Sequence, residues 1–203
     1  MEQRKWLYIG LFILTMVTLS LVIIVWQSGM PAGLSVSTSQ SPPGITESPT
    51  DAATTLQAWM AHNWAEDAQL VACTLTLSRH HPTEQGWTCQ AYSAQKNQLL
   101  VALVKGQDVQ VLRDTVARYR LKTLPTTAWN QDIQAILKAW WRENGATAWN
   151  TTSTSAVTIH LGMREDGVPS WQLTLLKDKL NTLEYWEFNA DTGVLLEHSS
   201  TGG

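Results

Sequence analysis

The sequence predicts an α+β protein: an N-terminal transmembrane helix, then two repeated units, each a helix lying on an antiparallel sheet. Three observations predict it. Residues 7–26 are apolar and uncharged. Later segments such as Cys73-Thr-Leu-Thr-Leu77 and Trp171-Gln-Leu-Thr-Leu175 alternate apolar and polar residues, the period of a strand with one buried face. The chain also matches itself when slid by 84 residues, Trp87 falling on Trp171, and self-similarity of this kind marks repeated architecture.

Residues 1–6 form the expected cytoplasmic tail and residues 7–26 the anchor. At about 1.5 Å per residue such a helix spans roughly 30 Å, the thickness of a bilayer's hydrocarbon core. A signal peptide has a shorter apolar region, about 7–15 residues, before a small-residue cleavage site. Trp6 and Trp26 bracket the run as interfacial aromatics do, although Pro31-Ala32-Gly33 offers a cleavage alternative. Arg4 and Lys5 precede the run and no Lys or Arg follows it before Arg79. The positive-inside rule then puts the N-terminus in the cytoplasm and the C-terminal domain outside, as a single-pass protein of the cell membrane. Residues 27–50 are rich in Ser, Thr, Pro and Gly and read as a flexible linker.

The first unit covers residues 51–122 and the second 123–203 with a C-terminal tail. Each opens on a helical stripe: Leu56, Trp59, Met60 and Trp64 in the first, with Asp51 or Thr54 as cap, and Ile133, Ile136, Leu137, Trp140 and Trp141 in the second. The polar stretch Asn144–Ser155 reads as a longer loop. Cys73 and Cys89 lie symmetrically about His81, on the inward phase of two strands. They are expected to pair across a hairpin as a structural disulfide worth about 3 kcal/mol. Val157 and Leu173 would fill the same slots in the second unit.

Composition narrows the function classes. The net charge is −3 and basic residues form no cluster, which argues against a nucleic-acid partner. No Gly-x-Ser-x-Gly sequence accompanies the five histidines, so no catalytic residues are assigned and no enzyme is expected. His80 and His81, with Glu84 nearby, read as a solvated turn; no metal site and no cofactor is expected. Arg113, Arg118 and Arg120 read as a solvated bridge between the units. Asn150-Thr151-Thr152 is a glycosylation sequon that would matter only in a secreted eukaryotic protein. Of the 11 tryptophans, Trp59, Trp64, Trp87, Trp140 and Trp171 fall on inward phases. Trp149, in the polar stretch, and Trp186, out of phase with Tyr185, are the candidates for a partner surface.

The ending Trp171, Leu173, Tyr185, Phe188, Asn189, Asp191, Thr192, Gly193 and Val194 resembles the PepSY domain: a tryptophan strand, a hairpin, and an Asp-x-x-Thr-Gly-like turn before a last strand. Asn189 stands where the family often has Asp, and the first unit has Gln107-Asp108-Val109 in place of the turn motif. A degenerate first copy before a clearer second one, behind an N-terminal anchor, resembles small membrane-anchored tandem PepSY-like proteins. The resemblance implies a cystatin-like fold and a non-enzymatic binding or regulatory role outside the membrane, on an envelope protease, cell-wall enzyme or sensor. The partner is then expected to be a membrane or envelope protein. The alternative is a structural subunit of a cell-envelope secretion or conjugation assembly.

Overall fold

Helix α1 spans Pro49–Asn63 in the computed structural model, which describes residues 41–81, 85–151, 154–177 and 183–201. Ser48, rather than Asp51 or Thr54, caps the helix: its Oγ accepts the Thr50 N–H at 3.1 Å, and Pro49 at the first helical position gives up no needed donor. Ala52, Ala53, Leu56 and Met60 are its buried stripe. Four strands follow: β1 (Gln69–Ser78), β2 (Trp87–Ser93), β3 (Gln98–Lys105) and β4 (Asp108–Val116). The β3–β4 turn is tight, Lys105 pairing Asp108, because Gly106 takes φ +57°. Helix α2 (Ile133–Trp140), a wide turn Trp141–Gly145 and a short helix α3 (Ala146–Asn150) lead to β5 (Thr154–Met163), β6 (Pro169–Lys177), β7 (Leu183–Asn189) and β8 (Leu195–Thr201).

The eight strands form one antiparallel sheet in the order β4-β3-β2-β1-β5-β6-β7-β8. This corrects the expectation of two separate cystatin-like, helix-on-sheet units. β1 and β5 pair directly in the middle of the sheet, from Ala72 opposite Gly162 to Ser78 opposite Ala156, so no boundary falls between the halves. The pairing reads the same from both sides. Leu75 faces Ile159, Cys73 faces Leu161 and Leu77 faces Val157, and each of 73, 75 and 77 lies 84 residues before 157, 159 and 161. Edge strands β4 and β8 each carry a bulge.

A second correction concerns the membrane. Among the described residues no helix is long and apolar enough to cross a bilayer. α1 has 15 residues and α2 has 8, and both spend their apolar stripes on the sheet. The expected anchor, residues 7–26, lies outside the described residues. The reading of this chain as a single-pass protein of the cell membrane is therefore withdrawn. Of the expected linker, residues 41–50 are described; Pro49 and Thr50 already belong to α1, and the stretch before them is docked. Gly44 O accepts from Gln85 Nε2 at 2.9 Å and Glu47 O from Trp87 Nε1 at 3.0 Å.

The core lies between the helices and one face of the sheet. On that face Cys73, Leu75 and Leu77 of β1, Trp87 and Cys89 of β2, Val157, Ile159 and Leu161 of β5 and Trp171 and Leu173 of β6 are buried, every second residue as the strand period requires. Trp87 and Trp171 approach to 6.3 Å between ring centroids. Cys73 and Cys89 stand opposite each other in the β1–β2 ladder and are joined by a disulfide. In the second half the slot is filled differently: Val157 faces Leu175, and Leu173 faces Ile159. A slip of two residues leaves every side chain on its original face, which is why a gapless match does not reveal it.

The turn of the family-like motif is held from within. Asn189 Oδ1 accepts the N–H groups of Asp191 and Thr192, each at 2.9 Å, and Gly193 takes φ +73°. Asn130 donates to the Asp191 carboxylate, pinning the segment before α2 onto this turn. Asn189, Asp191, Thr192 and Gly193 are thus architectural.

Candidate functional site

The other face of the sheet has none of the described helices packed on it, and there the polar residues of the alternating strands line up. Thr88, Thr74, His160, Gln172 and Glu187 are direct neighbours on five adjacent strands, β2, β1, β5, β6 and β7. A second row runs Thr76, Thr158, Thr174 and Tyr185. Cross-strand neighbours of this kind are the contacts through which a sheet face is stabilised and read.

His160 sits in the centre. Thr74 Oγ1 and His160 Nδ1 lie 3.0 Å apart across the β1–β5 seam, and the Thr76 and Thr158 hydroxyls lie 3.4 Å apart beside them. The imidazole leans over Gly162, where an added Cβ would come within 2.6 Å of Nε2; the missing side chain makes room for the ring. Burial pushes the His160 imidazolium down to about 4, with Glu187 pulling weakly the other way. The folded pKa therefore lies below the unfolded value of about 6.5. The unfolded chain binds a proton that the folded chain does not, so stability is full above pH 6.5 and is lost as pH falls toward 4. The loss amounts to at most about 3 kcal/mol. Denaturant titrations at pH 7.5, 5.5 and 4.5 are expected to show it, with a flatter profile in His160→Gln.

Glu187 anchors the acidic end. It is 4% exposed, yet its carboxylate accepts from Arg164 Nη1 at 2.7 Å and Gln172 Nε2 at 3.1 Å. Arg164, in the β5–β6 turn, is held in turn by Asp166 at 3.2 Å. Burial pushes the Tyr185 phenol up, and the neighbouring Glu187 charge adds to this. Removing one member of such a cluster strands a buried charge. Arg164→Met is expected to cost about 2 kcal/mol, and adding Glu187→Gln to recover most of it in the same unfolding assay. Beside the cluster a cleft of about 430 Å³ is lined by Arg120, Lys122, Met163 and Gly167. The Lys122 amine there donates to the carbonyls of Arg164 and Glu165.

The residues expected to form a partner surface are elsewhere. Trp186 is fully buried on the helix side, edge-on to Trp140 at 5.9 Å and stacked under His198 at 4.7 Å, with its Nε1 donating to Glu143 O at 3.2 Å. Trp149 is 6% exposed, on α3 under the Arg79 guanidinium. Both candidates are core residues. Trp171 and Leu173 are core as well. Sequence reasoning missed His160, Gln172 and Glu187, although all three sit on the polar phase of alternating strands. Among the described residues no group of three His, Cys, Asp or Glu side chains is placed to hold a metal.

No family model matches this chain. No curated protein matches it either. Among solved structures it is similar to a "putative lipoprotein" from Clostridium difficile 630, at 14% identity and a TM-score of 0.48, over 81% of this chain and 97% of that one. No functional reading follows from that likeness.

Proposed function

We propose that the chain is a non-enzymatic binding module that regulates a protein partner through the open face of its sheet. The observation that carries this reading is the continuous polar row from Thr88 to Glu187 on a face that bears no described helix. Its ionisable groups are committed to one another: Glu187 to Arg164 and Gln172, His160 to Thr74. We read the Thr74 hydroxyl beside the His160 imidazole as a fixed hydrogen-bonding position of that face. The PepSY-like ending favours a modulatory role of the kind that resemblance implies, on a protease, a cell-wall enzyme or a sensor. The Cys73–Cys89 disulfide suits an oxidising compartment.

The test is a titration. A partner recovered on the immobilised protein is purified and its affinity measured for the wild type and for a Thr158→Arg, Thr174→Arg variant. The two arginines fill the open face and leave the core untouched. At least a tenfold loss of affinity is expected at unchanged melting temperature; equal affinity would place recognition elsewhere.

A further inference from the structure

We propose that copies of this chain join edge to edge and head to tail, the β4 edge of one adding to the β8 edge of the next. The exposed large apolar residues are the starting point. Among the described residues they are confined to the margins of the sheet. Val111 (43%), Leu112 (44%), Val116 (66%) and Tyr119 (65%) lie on β4 and just beyond it. Leu196 (43%), Val194 (59%) and Leu183 (42%) lie on or beside β8 and β7. The helices carry none, and Leu183, in phase with Tyr185 and Glu187, stands at the end of the open face where β7 begins. Edge strands present unpaired backbone donors and acceptors, and apolar side chains there favour strand addition.

Strand direction permits the join. All seven neighbouring pairs in the sheet are antiparallel. With eight strands, β4 and β8 therefore run in opposite directions. A second copy set alongside with its helices on the same side brings its β4 antiparallel to the first copy's β8, and the sheet continues without a change of pattern.

Charge selects this pairing over the pairing of like edges. β4 and its exit carry Arg113, Arg118 and Arg120 against Asp108 and Asp114, and Asp114 is taken by Trp64 Nε1 on the helix side at 3.1 Å. The described β7–β8 segment carries Glu184, Glu187, Asp191 and Glu197 and no Lys or Arg. Arg113, opposite Val101, and Glu197, opposite Glu187, both belong to the open face in mid-strand. Brought together, they form an ion pair beside the bulged leucines Leu112 and Leu196. Opposite charges across a strand pair attract and like charges repel. Such a heterologous contact leaves a β4 edge free at one end and a β8 edge free at the other, so copies add in a row until the rotation between them closes a ring, and the open face of each copy stays uncovered.

Sedimentation of the full chain, in density-matched detergent that keeps the apolar residues 7–26 dispersed, tests this. Wild type is expected to grow beyond a dimer with concentration, less so in high salt. Arg113→Glu and Glu197→Arg each weaken self-association at least tenfold. The double variant, with the charges exchanged, returns to within about threefold of wild type, because each edge again meets its opposite. Circular dichroism checks that both exposed sites leave the fold intact. A monomer at every concentration, an assembly indifferent to both single changes, or a double variant no better than the singles would each overturn the proposal.

Discussion

Trp186→Ala is expected to destabilise the protein by about 3–5 kcal/mol, the range for removing a large buried aromatic. The indole is fully buried, packs edge-on against Trp140 and lies under His198. Its loss also strips Glu143 O of a donor. An exposed tryptophan on a recognition surface would change stability by only about 0.5 kcal/mol or less, so equilibrium unfolding in urea separates the two roles. Trp186→Phe keeps much of the ring packing and is expected to fall in between.

The second large effect belongs to the disulfide. Reducing it, or replacing both cysteines with alanine, is expected to cost about 3 kcal/mol on the loop-entropy account, for a bridge spanning a sequence separation of 16. The two sulfurs sit in the core face, and Cys73 belongs to β1, the strand that also pairs with Leu161 of β5. The consequence should reach across the centre of the sheet: amides of both β1 and β5 are expected to exchange faster in the reduced protein. A midpoint of unfolding unchanged by reductant, once thiol labelling shows the bond is open, would contradict this.

Local chemistry made much of the fold legible. The alternation of β1, β2, β5 and β6 shows in Cys73–Leu77, Trp87–Ala91, Val157–Leu161 and Trp171–Leu175, and Asn189–Gly193 reads as a turn because its side chains supply their own hydrogen bonds. The central pairing of β1 with β5 was not legible, because nothing in a strand's alternation names its neighbour. Tyr185 and Phe188 cannot both face inward from one strand, being an odd number of residues apart. The sheet settles the phase on Trp186 and Phe188 and turns Tyr185 to the open face. Trp149 was hidden by polar neighbours. Asn144 takes φ +71° and Gly145 packs against the Trp140 ring, so the chain turns and starts a short helix that buries Trp149. An Asn-Gly pair after a helical stripe is the signal for such a stop.

The candidate site was harder to read for a related reason. His160, Gln172 and Glu187 are ordinary wet-face residues of three separate strands, and only the ladder registers bring them into one row. The small residue that matters is Gly162, which gives the His160 ring its place. Its role depends on the direction in which a neighbouring side chain leans, which the order of residues does not state.

The most direct test of one continuous sheet is nuclear Overhauser spectroscopy of the seam in the isotope-labelled protein. The account predicts interstrand cross-peaks in an antiparallel pattern between residues 72–78 and 156–162, including Thr74 with His160 and Thr76 with Thr158. A spectrum in which β1 and β5 share no cross-peaks, each half showing contacts only within itself, would contradict it.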